Sequence, residues 1–369
     1  MSSVKSNRIY SAPKAVASLV VLLAALFSAR PALAQETKEK VTVDDVDRTF
    51  MVRLPKGYDA TRKYPVVILL HGMNQDVDDM ERLTRFDELA DKDGVIAVYP
   101  AALHGRWNVG VRPEVRRTTS PMGPGRRRGG YGGGGGYPGG GGYPGGGGGG
   151  YPGGGGQQPR NREPDEESRR PAETDDVGFF NQMLDQLNTK FSVDASRIYA
   201  AGLSEGGMMS MRLGCGLSDR IAAVAAVGAT MPKTMICLPS RPVAMVMIEG
   251  TSDPVVPYGG GTEHNLSLNV LSAEDSAKSW ARIDHCDEKP TKAKLPEHGK
   301  GGMETKTDTY NGCGQGAQVE LYSIKGAGNT WPGGEQYEAE NAIGKTSQDL
   351  NANETIWSFL VTRKLAAKE

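Results

Sequence analysis

The chain has 369 residues, a formal charge of −1 from 43 basic and 44 acidic residues, and 50 glycines. That length suits about two domains of ~150 residues or one larger α/β domain, and the balanced charge offers no basic field for nucleic acid. Residues 1–34 read as an export signal: Lys5, Arg8 and Lys14 precede the apolar run AVASLVVLLAALF (15–27), and Ala32-Leu33-Ala34 is a small-residue cleavage pattern. The run falls short of the about 20 residues a membrane span needs, so no stable span is expected. Removing the leader's four basic residues takes the charge from −1 to −5. The mature chain is expected to start near Gln35, in a secreted or periplasmic setting.

In chain order, VTVDDVDRTFMVRLP (41–55) reads as an antiparallel starting pair. YPVVILLHG (64–72) holds a continuous apolar run, the pattern of a strand buried on both faces. Residues 76–94 read as one amphipathic helix closed by Gly94, and VIAVYP (95–100) as the next strand. From 111 to 174 the hydrophobic periodicity is lost, and 23 of the 50 glycines lie between 123 and 156. Such a stretch cannot bury enough apolar surface to offset its ordering entropy. It reads as a disordered Gly/Tyr/Pro-rich insertion within a single domain made of 35–110 and 175–369. Beyond it, DVGFFNQMLDQLNTKF (176–191) sets Val177, Phe180, Met183, Leu184 and Leu187 on one helical face. RIYAAGLSEGG (197–207) is strand, turn and helix start; 222–229 and 242–250 are further buried strands. Residues 272–283 open with a capping-box pattern at Ser272. VELYSI (319–324) is the last strand and 349–364 the closing helix. This alternation predicts a mostly parallel sheet with helices on both faces.

Three turns carry chemistry. Gly202-Leu203-Ser204-Glu205-Gly206 fits G-x-S-x-G between a strand and a helix, a turn that lifts a serine hydroxyl above a sheet. The backbone N–H of Glu205 then faces the developing oxyanion at a helix N-terminus. His71-Gly72-Met73 follows the first buried strand, where a second oxyanion donor usually arises; the backbone of Met73 is assigned to it, and His71 is read as structural. Asp253 follows the strand 242–249 and suits an acid that orients a base. Four cysteines in an exported chain suggest two disulfides. Among three connectivities the local pairs Cys215–Cys237 and Cys286–Cys313 are expected. No phosphate loop or clustered ligand pattern appears, so neither cofactor nor metal is expected.

The stretches GLSEGGMMSMRL, GTSDPVVPYGG, DDVGFFNQML and GAGNTWPGG resemble secreted polyhydroxybutyrate depolymerases and feruloyl esterase-like hydrolases, an α/β-hydrolase family. The resemblance runs from about residue 41 to 364, apart from the insertion. It implies Ser204 as nucleophile, Asp253 as acid, and a histidine base in a G-H-T-W-P-G loop. Here that position holds Asn329, within GAGNTWPGG. Val109 likewise stands where the family tends to have Asp. A carboxamide has no titrating lone pair with which to take the Ser204 proton. Other candidate bases are His104 and His264 near the expected mouth, then His285, His298 and the side chain of Glu205. Trp107, Trp331 and His264 are candidates for the substrate rim. The resemblance implies a serine ester hydrolase acting on polyesters or acylated polysaccharides, impaired by its missing base. The alternative is an inactive relative that binds such polymers.

Overall fold

The computed structural model describes residues 35–110, 174–263, 268–296 and 302–366. The leader, residues 111–173 of the expected insertion, His264 and His298 lie outside the described residues.

The described residues begin with a hairpin of β1 (Gln35–Val43) and β2 (Val46–Leu54). Its two turn residues, Asp44 and Asp45, have φ of 49° and 63°, the left-handed pair whose twist matches two joined strands. The hairpin thus starts six residues before the pair expected at 41–55. There follow β3 (Tyr64–Leu70), β4 (Ile96–Pro100), β5 (Val193–Leu203), β6 (Ala223–Val227) and β7 (Ala244–Gly250). A short ribbon comes next, β8 (Gly261–Glu263) with β9 (Leu268–Val270), then β10 (Thr291–Lys294), β11 (Thr305–Tyr310) and β12 (Val319–Ile324). The main sheet has 10 strands in the order β1-β2-β4-β3-β5-β6-β7-β12-β11-β10. The six from β4 to β12 in that order are mutually parallel, and both margins are antiparallel.

The central strands are buried throughout, and successive side chains feed two separate cores. Val66, Ile68 and Leu70 of β3 face one core, with α3 (Asp176–Lys190), α4 (Glu205–Gly216) and α5 (Ala273–Ile283). Val67 and Leu69 face the other, with α1 (Val77–Thr84), α2 (Phe86–Asp93) and, beyond the short α6 (Glu340–Ile343), α7 (Ala352–Leu360). Helices therefore cover both faces, as the alternation predicts.

The helix expected over 76–94 is two helices. Arg85 sits at φ 48° and ψ 32°, a left-handed residue that ends α1 and starts α2. The break lets Leu83 and Phe86 both reach the same core. In α3, Phe180, Met183, Leu184 and Leu187 are buried as expected, Phe179 is buried beside them, and Val177 is only half-buried. The closing helix is shorter than the expected 349–364 at both ends, and its start is set by Asn351, which caps it by accepting from the Glu354 N–H.

Both local disulfides are present, Cys215–Cys237 and Cys286–Cys313, separated by 22 and 27 residues. The second ties the end of α5 to the loop after β11. Serine at both Cys286 and Cys313 is expected to lower unfolding free energy by about 3 kcal/mol through the freed chain entropy. Urea unfolding under non-reducing conditions measures it, and an unchanged midpoint would contradict it.

Candidate active site

The register of the parallel strands gathers the candidate residues at one edge of the sheet. Leu203 pairs with Val227, Val227 with Ile248, and Gly250 with Ile324. The chain therefore leaves β5, β6, β7 and β12 at nearly one level, and these exits carry Ser204, Gly228, Asp253 and Asn329.

Ser204 joins β5 to α4 with φ 55° and ψ −120°, a conformation that is strained for a residue with a side chain. Its N–H is held by Val227 O at 2.8 Å. The turn is possible because the helix start lies against its neighbours' backbones. A Cβ on Gly206 would stand 2.2 Å from Leu70 O, and one on Gly202 would stand 2.3 Å from Gly206. These glycines are steric requirements of the turn, which is what makes G-x-S-x-G readable.

Asp253 is buried and its carboxylate is shared among three donors. Oδ1 accepts from the N–H groups of Val255 (2.7 Å) and Val256 (2.8 Å), and Oδ2 accepts from Asn329 Nδ2 at 2.7 Å. Burial pushes its carboxyl up to about 7, against the pull of these donors, the Asn329 amide foremost. Asn329 is 1% exposed, and its second amide hydrogen goes to Gly228 O at 2.8 Å. Its backbone is fixed from both sides, N–H to Ile343 O (2.6 Å) and O from Tyr337 Oη (2.9 Å). The amide nitrogen thus supplies the near donor that an imidazole would offer to Asp253. The far nitrogen of an imidazole has no counterpart in asparagine.

The His71–Met73 segment is equally fixed. His71 Nε2 accepts from the Ala102 N–H (3.1 Å), so Nδ1 carries the proton and donates to Gly72 O (2.7 Å). Burial lowers the His71 pKa and keeps the ring neutral. In a trans peptide the next N–H points away from that carbonyl, which turns the Met73 N–H away from the His71 ring. The Gly72 N–H is taken by Gln75 Oε1 (2.8 Å). Gly72, Met73, Ser204, Asn329 and Tyr337 line one cavity of about 590 Å³.

Other assigned residues lie elsewhere. Trp107 is 1% exposed, donates to His71 O (2.9 Å) and stacks near His71 and Phe180. Trp331 is also 1% exposed and donates to Asn353 Oδ1. Neither indole lines the cavity, so the rim role expected for both is corrected: each N–H found a partner inside. His264 lies outside the described residues. His104 is exposed on a 3-10 turn and His285 is exposed at the end of α5. Neither borders the cavity, and both ring nitrogens of His71 are occupied. The Glu205 carboxylate is turned to Arg106 Nε and the Trp107 N–H, each at 3.2 Å. Tyr337 and Gln75 escaped the sequence reading; no motif marks a residue that holds a loop through a single hydrogen bond.

For a metal, the described residues offer one group, Glu36, Glu81 and Asp87, with carboxylate oxygens within 4.8 Å of one another. Arg53 reaches into it, 2.8 Å from Asp87 and 3.6 Å from Glu36. Its carboxylates come from β1, α1 and α2, and none of its residues lines the cavity.

A family model described as "Putative esterase" matches residues 44–122. The chain is 24% identical over 339 residues to "Putative esterase NocK" of Nocardia uniformis subsp. tsuyamanensis, covering 89% of this chain and 83% of that protein. It is 33% identical over 165 residues to "Feruloyl esterase B" of Piromyces equi, spanning 43% of this chain and 29% of that protein. The acetyl xylan esterase from Aspergillus awamori superposes with a TM-score of 0.50 at 11% identity, over 88% of this chain and 99% of its own. At that identity the likeness speaks to the fold, which it shares.

Proposed function

Taking the chain as an esterase-like member of the α/β-hydrolases, we propose that it is an extracytoplasmic serine ester hydrolase of the feruloyl or acetylxylan esterase type, reduced to slow acyl transfer. Ser204 attacks the ester carbonyl, and the N–H groups of Glu205 and Met73 receive the oxyanion. Asp253 keeps its place, but among the described residues no imidazole stands between it and Ser204 to relay the serine proton. The observation that carries this reading is the Asn329 amide, with both hydrogens committed to Asp253 and Gly228, in the cavity that Ser204 also lines. An acylated polysaccharide suits the site better than a polyester. The cavity wall is mainly polar, with Asn74, Gln75, Asp79, Arg82, Glu338 and Asn341, groups that can meet sugar hydroxyls.

If only the far nitrogen is missing, a free base should replace it. Added imidazole is expected to speed ethyl ferulate hydrolysis saturably, by about a hundred-fold, with the Ser204→Ala rate subtracted as background. Equal rates for the natural chain and Ser204→Ala at every imidazole concentration would overturn the hydrolase reading. The alternative, a polymer-binding relative without chemistry, would then stand.

A further inference from the structure

We infer that the side chain of Glu205 is a positioning residue, which locks the loop bearing the oxyanion donor Met73 to the nucleophile turn. The inference rests on the proposed role of Ser204 and Met73 and names a residue that holds their geometry. Glu205 directly follows the nucleophile, yet its side chain is 2% exposed and points into the protein. Its two oxygens grip consecutive residues of the loop after β4: Oε1 takes Arg106 Nε and Oε2 takes the Trp107 N–H. That loop in turn holds the 71–74 segment at three points. The Ala102 N–H donates to His71 Nε2 (3.1 Å), Trp107 Nε1 donates to His71 O (2.9 Å), and Gly105 O accepts from the Asn74 N–H (2.9 Å). A Cβ on Gly105 would lie 3.3 Å from the Asn74 backbone, so the two loops are in close contact. The carboxylate is therefore the single side chain in this set that reaches from the elbow to the loop bracing Met73.

The groups facing Glu205 are Arg106, whose side chain is 28% exposed, and Glu263 of β8. Burial pushes the Glu205 carboxyl up to about 7, while Arg106 pulls it down and Glu263 adds to the rise. Below that range the acid is neutral and grips Arg106 less well, so the bracing is strongest on the alkaline side.

Two measurements test this. Backbone hydrogen exchange of the Asn74 and Ala102 amides is expected to quicken at least about tenfold in Glu205→Gln, the loss of one charge-assisted hydrogen bond. Arg106→Met, which leaves the nucleophile turn untouched, is expected to do the same. The Gly228 amide, bonded across the sheet to Ile248 O, is expected to stay unchanged in both. Unaltered exchange at Asn74 and Ala102 would overturn the inference, as would equal acceleration at Gly228. The second measurement is the affinity for phenylboronic acid, whose adduct with a serine oxygen carries an anionic tetrahedral centre. At pH 8 Glu205→Gln is expected to bind it about tenfold more weakly than the natural chain, and the gap is expected to close at pH 6. A gap of the same size at both pH values would contradict the ionised clamp. If the natural chain fails to bind phenylboronic acid at all, the proposed hydrolase falls, and the exchange data still decide the clamp.

Discussion

Asn329→His is expected to raise ester turnover by at least about a thousand-fold over the natural chain. Removing the histidine of a serine triad costs on the order of a million-fold, about 8 kcal/mol of barrier. A residual of roughly a thousand-fold over water survives through the oxyanion donors and binding. Restoring the ring should recover a large part of the difference, because the other parts are held by contacts that do not involve the Asn329 side chain. Asp253 keeps its two backbone donors, Ser204 its bond to Val227, and the loop its ties to Ile343 and Tyr337. A histidine whose Nδ1 took the place of Asn329 Nδ2, 2.7 Å from Asp253, would have Nε2 free to serve Ser204, which lines the same cavity. The gained activity is expected to rise with pH through the imidazole range, since only the neutral ring accepts a proton. It is measured as kcat/KM for p-nitrophenyl acetate and ethyl ferulate, with Ser204→Ala in the same background as control. A gain of less than tenfold in a folded variant would mean that Ser204 and Asp253 are not aligned for acyl transfer.

Arg48→Met is expected to cost about 3–5 kcal/mol of stability. Arg48 donates to Asp176 at 2.7 Å, with side chains 3% and 0% exposed, and its guanidinium lies 4.3 Å above the Phe179 ring. Asp176 also accepts from the Asn108 N–H at 2.6 Å. Burial already pushes the Asp176 carboxyl up, with Arg48 the main opposing influence. Removing the arginine leaves a carboxylate with neither water nor a directly bonded cation. At this chain length that corresponds to roughly a 6 °C drop in Tm, readable by calorimetry. Adding Asp176→Asn is expected to recover at least about half, because the double variant buries no charge. A fall below 1 kcal/mol for Arg48→Met would show that the pair is solvated in the native protein.

The parts of this molecule that were readable are those where local geometry leaves one choice of residue. Strands β3, β6 and β7 are covered on both faces and so appear as unbroken apolar runs. The elbow is readable because Gly202 and Gly206 touch backbone, where no side chain fits. The margin beyond β12 was not readable, whereas the β1–β2 margin was legible as an antiparallel pair. β10 is fully exposed, and β11 buries threonines in place of apolar residues, so neither shows an apolar alternation in its sequence. The split at Arg85 was hidden because arginine is an ordinary helix residue, and tertiary packing of Leu83 and Phe86 imposes the break. The inward turn of Trp107 and Trp331 was hidden for the same reason: an indole near a catalytic loop suits either a wall or a strut. Asn329 was legible as a departure from a motif, whereas its paired bonds to Asp253 and Gly228 required coordinates.

The Asn108 side chain donates to Thr174 O at 2.7 Å, and Asp176 grips the Asn108 backbone from the same side. The polypeptide thus departs and comes home through a single gate beside the elbow. These bonds tie Asn108 to Thr174 and Asp176, residues 66 and 68 positions further along the chain, so the scaffold on either side of 111–173 is closed by its own contacts. A change that loosened this closure would be felt first at Arg106 and Trp107, the two residues that Glu205 holds.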